Sequence, residues 1–219
     1  MNIITQNHII EFCTLIVSVI FFKSLHQGKL KTFPFFLAFI FFVEFTGAYI
    51  RKGLHSNNVW VYNLTIPIEY AYYLFLFWLH GGKLLKNFTR ICASILFFVC
   101  VFYLLLLPIK LLHTNVLVCG QLMVIISSCI YIYEIFTKAE EESLFKNYFY
   151  WIVSGLFLFN LGDVIYFVFF PTIHAKGWDK LDHIFESINR NLLLLLYLSY
   201  IVSILVFKKY YQIKNAGDN

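Results

Sequence analysis

Residues 59–79 read VWVYNLTIPIEYAYYLFLFWL, an apolar run interrupted by one carboxylate, Glu69. A run of roughly 20 mostly apolar residues is long enough to cross the hydrocarbon core of a membrane as an α-helix. A carboxylate at the bilayer centre costs on the order of 3 kcal/mol on insertion scales. The stretch therefore predicts a membrane helix whose acidic side chain faces the interior of a helix bundle.

The rest of the chain has the same character. Its 219 residues are 60% hydrophobic and only 13% charged, whereas soluble domains average about 25% charged. We therefore predict an all-α polytopic membrane protein, a bundle of seven transmembrane helices in a single domain, 1–219. The predicted spans are residues 3–22, 33–50, 59–79, 89–107, 115–136, 148–170 and 184–207.

Basic residues orient the predicted bundle, because cytoplasmic segments of membrane proteins are enriched in Lys and Arg. With the N-terminus outside and the C-terminus inside, the cytoplasmic segments hold Lys23, Lys29, Lys31, Lys83, Lys86, Arg90, Lys138, Lys146, Lys208, Lys209 and Lys214. The outer segments then hold fewer, namely Arg51, Lys52, Lys110, Lys176 and Lys180. The bias favours an N-out, C-in topology and a multi-pass protein of the inner (plasma) membrane.

Carboxylates interrupt four of the other predicted spans. They are Glu11, Glu44, Asp163 and Glu186. Helical spacing places these acids on faces shared with other polar or small residues, and in this topology most of them lie in the outer half of the bilayer. We therefore predict a polar, carboxylate-rich pocket that opens outward. Glu134 falls at the inner end of its span, and we expect it to be interfacial and outside the site.

Charge is unbalanced in this predicted pocket. The only cation embedded among the acids is Arg190, with Arg51 at the rim. A guanidinium can form a bidentate pair with a carboxylate, and we expect Arg190 to pair with Asp163 or Glu69. The remaining acids must be protonated, hydrated or matched by a cation. We expect Glu69 and Asp163 to form the core of the site and Glu44 and Asn189 its flanks. The further residues expected to bind ligand or protons are Asn160, Glu186 and Glu11.

Three functions fit such a pocket. The leading hypothesis is a sensor or receptor-like protein that binds a ligand or ion and passes the signal to a membrane or cytoplasmic partner. The alternatives are a proton-coupled transporter of small solutes and an intramembrane enzyme that acts on lipid. A structural alternative is that the polar groups hold the helices together by hydrogen bonds.

Other chemistry has little support in the sequence. No motif predicts catalytic residues, so an enzyme is the less favoured hypothesis. The histidines lack metal-ligand spacing, and we predict no metal site and no cofactor. Because the basic residues sit mainly in short loops and near the C-terminus, we predict contact with the lipid bilayer and no nucleic-acid partner.

Three short stretches resemble a known group of proteins. They are Phe42-Val43-Glu44-Phe45-Thr46-Gly47, the stretch from Tyr62 to Tyr70, and Phe159-Asn160-Leu161-Gly162-Asp163. The chain resembles the small uncharacterised seven-helix membrane proteins that are common in Bacteroidetes. This resemblance implies an inner-membrane location and does not imply an activity.

Overall fold

The computed structural model describes residues 5–26, 28–138, 144–177 and 183–211, and within these ranges the chain forms helices and no strands. The α-helices are α1 (Gln6–Ile20), α2 (Phe22–His26), α3 (Phe33–Ala48), α4 (Val59–His80), α5 (Lys83–Leu106), α6 (Thr114–Lys138), α7 (Tyr148–Ala175) and α8 (His183–Val206). Turns of π-helix extend α3 and α8, at Tyr49–Gly53 and Phe207–Tyr211, and Leu144–Lys146 is a short 3₁₀ turn.

Five helical segments are long and apolar enough to cross a membrane: Phe33–Gly53, Lys83–Leu106, Thr114–Thr137, Tyr148–Phe169 and Glu186–Tyr210. Each corresponds to a span predicted from the sequence. The first predicted span is divided instead, since α1 ends at Ile20 and α2 begins at Phe22. The stretch 59–79 forms the continuous helix α4, which runs through Pro67. Four tyrosines, together with Asn63 and Glu69, make this 22-residue helix less apolar than the five.

Six of the helices form a closed ring. Helix α1 packs against α3 and α8, α8 against α7, α7 against α6, α6 against α4, and α4 against α3. Helix α5 lies outside this ring and packs against α4 and α6. The ring determines which helix faces can meet in the interior.

The distribution of side chains on α1 is the reverse of that on a helix of a water-soluble protein. Its buried residues are all polar, namely His8, Glu11, Thr14 and Ser18. Its large exposed residues are apolar, namely Ile9, Phe12, Ile16, Val19 and Ile20. Helix α5 likewise exposes Phe98 and Leu105, by 70% and 78% of their surfaces. Lipid is the solvent that suits this pattern, because it solvates apolar side chains and leaves polar groups to the interior.

The two ends of the bundle differ. The end that carries the start of α1 also carries the connections 54–58 and 107–113, and we call it the N-terminal end. The opposite end, which we call the C-terminal end, is packed with apolar and aromatic side chains. Phe77 packs edge-on against Phe149 with ring centroids 5.8 Å apart, and Tyr148 packs against Phe207 at 4.8 Å. Glu11, Glu44, Glu69 and Asp163 lie between this apolar plug and the N-terminal end, whereas Glu134 is buried beside Gly82 at the C-terminal end.

Candidate functional site

Helix α1 supplies the most deeply buried acid. Its polar face comes from spacings of three and four residues, which place His8, Glu11, Thr14 and Ser18 on one side of the helix. The Glu11 side chain is only 4% exposed, and its Oε2 atom has no hydrogen-bond partner in the part of the chain that the structure describes. A buried polar atom without a hydrogen-bond partner lowers the stability of the fold. A proton on Glu11, or a ligand beside it, would remove this cost.

Glu44 comes from the neighbouring helix α3 and meets α4. The Tyr62 hydroxyl donates a hydrogen bond to Glu44 Oε2 over 3.2 Å. This contact depends on Gly47, because a Cβ atom at that position would lie 2.6 Å from the Tyr62 hydroxyl oxygen. A residue without a side chain thus allows the tyrosine to lie against α3, as small residues do at many membrane-helix contacts.

Glu69 comes from α4 itself. The Tyr73 hydroxyl, one helical turn further along, donates a hydrogen bond to Glu69 Oε1 over 2.6 Å. The same hydroxyl faces that of Tyr200 on α8. The Tyr200 hydroxyl lies on the opposite side of the ring and has no hydrogen-bond partner among the described residues.

Glu11, Glu44 and Glu69 converge in the interior, and we call these three residues the acidic cluster. Glu44 and Glu69 lie close enough to Glu11 for their charges to act on it. Tyr197 of α8, a side chain only 4% exposed, lies within electrostatic range of all three acids. Helices α1, α3 and α4 therefore direct carboxylates toward one region of the interior.

Asp163 lies next to the acidic cluster, close enough to Glu69 for the two carboxyl groups to interact electrostatically. Its hydrogen-bond partner is Gln121 of α6, whose side-chain amide donates to Asp163 Oδ2. Asn160, one turn before Asp163, accepts a long hydrogen bond of 3.5 Å from the Tyr70 hydroxyl. Gly120 leaves room for the Tyr70 ring, since a Cβ atom there would overlap it.

Gln121 is a site residue that the sequence reasoning missed. It is fully buried, and its Oε1 atom has no hydrogen-bond partner among the residues described. The sequence feature that could have indicated Gln121 is its amide side chain within the apolar run 115–136. A neutral amide is a weaker signal of an interior site than a carboxylate, because its burial costs less.

The residues predicted at the start of α8 lie elsewhere. The side chains of Glu186 and Arg190 are exposed, and that of Asn189 is partly buried. Asp163 and Glu69 have uncharged partners, Gln121 and Tyr73, in place of the expected guanidinium. Arg190 is seven residues before Tyr197, which places both on one face of α8 with Arg190 about 10 Å nearer the N-terminal end.

The arrangement restricts the chemistry available. Within the described ranges, no three His, Cys, Asp or Glu side chains are placed to share one metal ion. The carboxylates accept hydrogen bonds from tyrosine hydroxyls and an amide, all of them uncharged donors. The three carboxyl groups therefore retain acceptor capacity, and when ionised they carry negative charge that a cation or protons could neutralise. No protein-family model, curated protein or solved structure matches this chain.

Proposed function

We propose that the chain is a multi-pass inner-membrane protein with seven spans, its N-terminus outside and its C-terminus inside. The five apolar segments support the membrane location, and the polar interior face of α1 supports its inclusion in the bundle. In this proposal α1 with α2 forms the first span and α4 forms the third. Helices α1 and α4 both belong to the ring of helices. The excess of basic residues at the C-terminal end supports the orientation.

A topology measurement tests this proposal separately from any binding role. In a variant whose native cysteines are replaced by alanine, we expect Asn57→Cys to react with a membrane-impermeant maleimide on intact cells. We expect Phe145→Cys, which replaces a side chain 62% exposed at the opposite end, to react only after the membrane is opened. Labelling of both positions from outside, or the reverse pattern, would contradict the proposed orientation.

We further propose that the acidic cluster binds a cationic ligand that enters from the N-terminal end, in a receptor-like role. One observation carries this proposal: among the described residues, the clustered carboxylates of Glu11, Glu44 and Glu69 have only uncharged hydrogen-bond partners, and Glu11 Oε2 has none. Buried charge without compensation is strongly unfavourable. When the acids are ionised, a positively charged ligand would supply the missing compensation, whereas protonated acids carry no charge to compensate.

The composition of the site favours an organic cation within this proposal. Three or more metal-ligating side chains are not brought together in the described ranges. Tyr62, Tyr73 and Tyr197 surround the acids, and aromatic rings attract ammonium groups through their negatively charged faces. A receptor of this size would act through a membrane or cytoplasmic signalling partner at the basic C-terminal end.

Proton-coupled transport is the second candidate. It is favoured by the Tyr73 hydroxyl, which is hydrogen-bonded to Glu69, and by the nearby Tyr200 hydroxyl of α8, which has no hydrogen-bond partner among the described residues. Hydroxyl groups both donate and accept hydrogen bonds, so this pair is suited to passing a proton. Under this candidate, Glu69→Gln would leave the protein folded and abolish flux that depends on a pH gradient.

Thermal unfolding of the purified protein with a panel of cations tests the binding proposal. The panel consists of potassium, calcium, choline and spermidine, each compared with sodium at equal ionic strength. We expect at least one organic cation to raise the melting temperature, because a ligand that binds only the folded state stabilises it. We expect Glu11→Gln and Glu69→Gln to lose that increase.

Glu186→Gln is the matched control, because it removes an exposed carboxylate outside the cluster. It should retain the full response. If the cations raise the melting temperatures of all four proteins equally, the effect does not come from the acidic cluster. If no cation acts on the wild type, the receptor proposal is wrong and the cluster is left with a structural or proton-handling role.

A further inference from the structure

A groove on the outside of the bundle lies between α4 and α5, away from the acidic cluster. Its volume is about 250 Å³, and its lining includes Ala71, Leu74, Phe75, Trp78, Arg90 and Ala93. The groove is open to the surroundings, since Phe75 is 39% and Trp78 is 36% exposed. It lies toward the C-terminal end, where α4 ends at His80 and α5 begins at Lys83.

Two cations stand at one end of this groove. Lys86 and Arg90 are four residues apart on α5, which places them on the same helix face. The Lys86 ammonium lies 5.9 Å from the centre of the Trp78 ring, and Arg90 lines the groove directly. Tryptophan and long basic side chains are typical of the boundary between hydrocarbon and headgroups.

Acidic partners for these cations are missing from the groove. Its described lining contains no carboxylate. Helix α5 carries no Asp or Glu, and α4 carries only Glu69, whose carboxylate is bonded to Tyr73. Arg90 is seven residues into α5, about 10 Å along the helix axis, which is within reach of the headgroup layer by snorkelling. A guanidinium at that depth is best satisfied by an anion that the membrane itself supplies.

The remainder of the groove suits a hydrocarbon chain. Ala71 lies seven residues before Trp78, about 10 Å deeper along α4. Ala71 and Ala93 leave space between the helices, and Leu74 and Phe75 supply apolar walls. The cationic end and the apolar trough thus follow the order of a phospholipid, with its phosphate at the surface and its acyl chain below.

We propose that this groove binds an anionic phospholipid of the inner leaflet. Its phosphate lies between Lys86 and Arg90, and one acyl chain lies along Ala71 and Phe75. Basic sites between helices at the cytoplasmic side are known to hold anionic headgroups. The assignment rests on the proposed membrane orientation and is independent of any ligand in the acidic cluster.

The test uses the full chain in a neutral detergent, with phosphatidylglycerol or phosphatidylcholine added at equal molar ratio. We expect phosphatidylglycerol to raise the melting temperature by roughly 3 °C or more beyond phosphatidylcholine. Arg90→Gln and Lys86→Gln should each lose most of this difference. Lys110→Gln, which removes a cation at the opposite end of the bundle, should keep it. Native mass spectra should show a retained phosphatidylglycerol on the wild type and less on Arg90→Gln.

Other outcomes overturn the assignment. Equal stabilisation by the two lipids, or an undiminished difference in Arg90→Gln, would show that the groove does not select anionic lipid. Inorganic phosphate or glycerol phosphate acting as strongly as the lipid would show an anion site without a lipid role. Should the chain leave membranes in alkaline carbonate without detergent, the membrane proposal itself fails, which is a separate result from loss of lipid selectivity.

Discussion

Replacing Asn63 by alanine should lower the free energy of unfolding by about 3 kcal/mol, since each buried hydrogen bond contributes about 1 kcal/mol and orphaned groups add to the cost. Asn63 is only 4% exposed and fixes the connection between α5 and α6. Its side-chain amide donates to the carbonyls of Ile109 and Leu111 over 2.8 Å and 2.7 Å. Its Oδ1 atom accepts the backbone N–H of His113 over 3.0 Å.

Thermal unfolding in detergent should show Asn63→Ala melting roughly 6–12 °C below the wild type. Asn57→Ala is the matched control, because Asn57 donates a single hydrogen bond to the same connection, to the Lys110 carbonyl, from an exposed position. The control should lose less than a third as much. Equal losses in the two variants would show that the connection is not held by the buried amide.

The second large effect is expected at Glu134. We expected this residue to be interfacial and outside the site, and it lies beside the α4–α5 turn at the C-terminal end, with its side chain 9% exposed. Its two carboxylate oxygens accept the backbone N–H groups of Gly82 and Leu85, over 2.6 Å and 3.2 Å. These are the free N–H groups at the start of α5, where a negative charge is also favoured by the helix dipole.

We expect Glu134→Ala to destabilise the protein by about 3 kcal/mol, because hydrogen bonds to a charged group contribute about 1.5–3 kcal/mol each and the backbone donors are left unpaired. Glu134→Gln should fall between alanine and wild type, since an amide offers only one acceptor oxygen. Chemical unfolding followed by intrinsic fluorescence would measure both. Thr137→Ala, at an exposed position one turn later, should change stability little, and a loss there as large as in Glu134→Ala would argue against the capping role.

Much of the helical layout follows from the sequence. Runs of apolar residues predicted the five apolar segments to within a few residues, apart from the start of α5, because a helix in lipid must satisfy its own backbone groups over the full thickness. The division of the first run at Phe21 was not predicted. No proline or glycine marks that position, and the break lies where the Lys208 ammonium stands 4.5 Å from the centre of the Phe21 ring.

The clustering of acids was likewise predictable, whereas their partners were not. A carboxylate in an apolar run has to face the interior, and this alone brings Glu11, Glu44 and Glu69 inward. Which side chain meets each acid depends on helix rotation and on which helices are neighbours. Arg190 was the expected partner by charge, but Gln121 lies on the helix that faces Asp163. The capping role of Glu134 was not predicted for the same reason, since only the fold places the turn at Gly82 beside it.

Equilibrium binding is the most direct test of the acidic cluster as a cation site. The measurement is isothermal titration calorimetry of the purified protein with the cation of the panel that stabilises it most. We expect wild type and Glu186→Gln to bind with the same affinity and Glu69→Gln to bind roughly 30-fold more weakly, because removing one partner of a buried charge pair costs about 2 kcal/mol or more. Equal affinity in wild type and Glu69→Gln would contradict the proposed site.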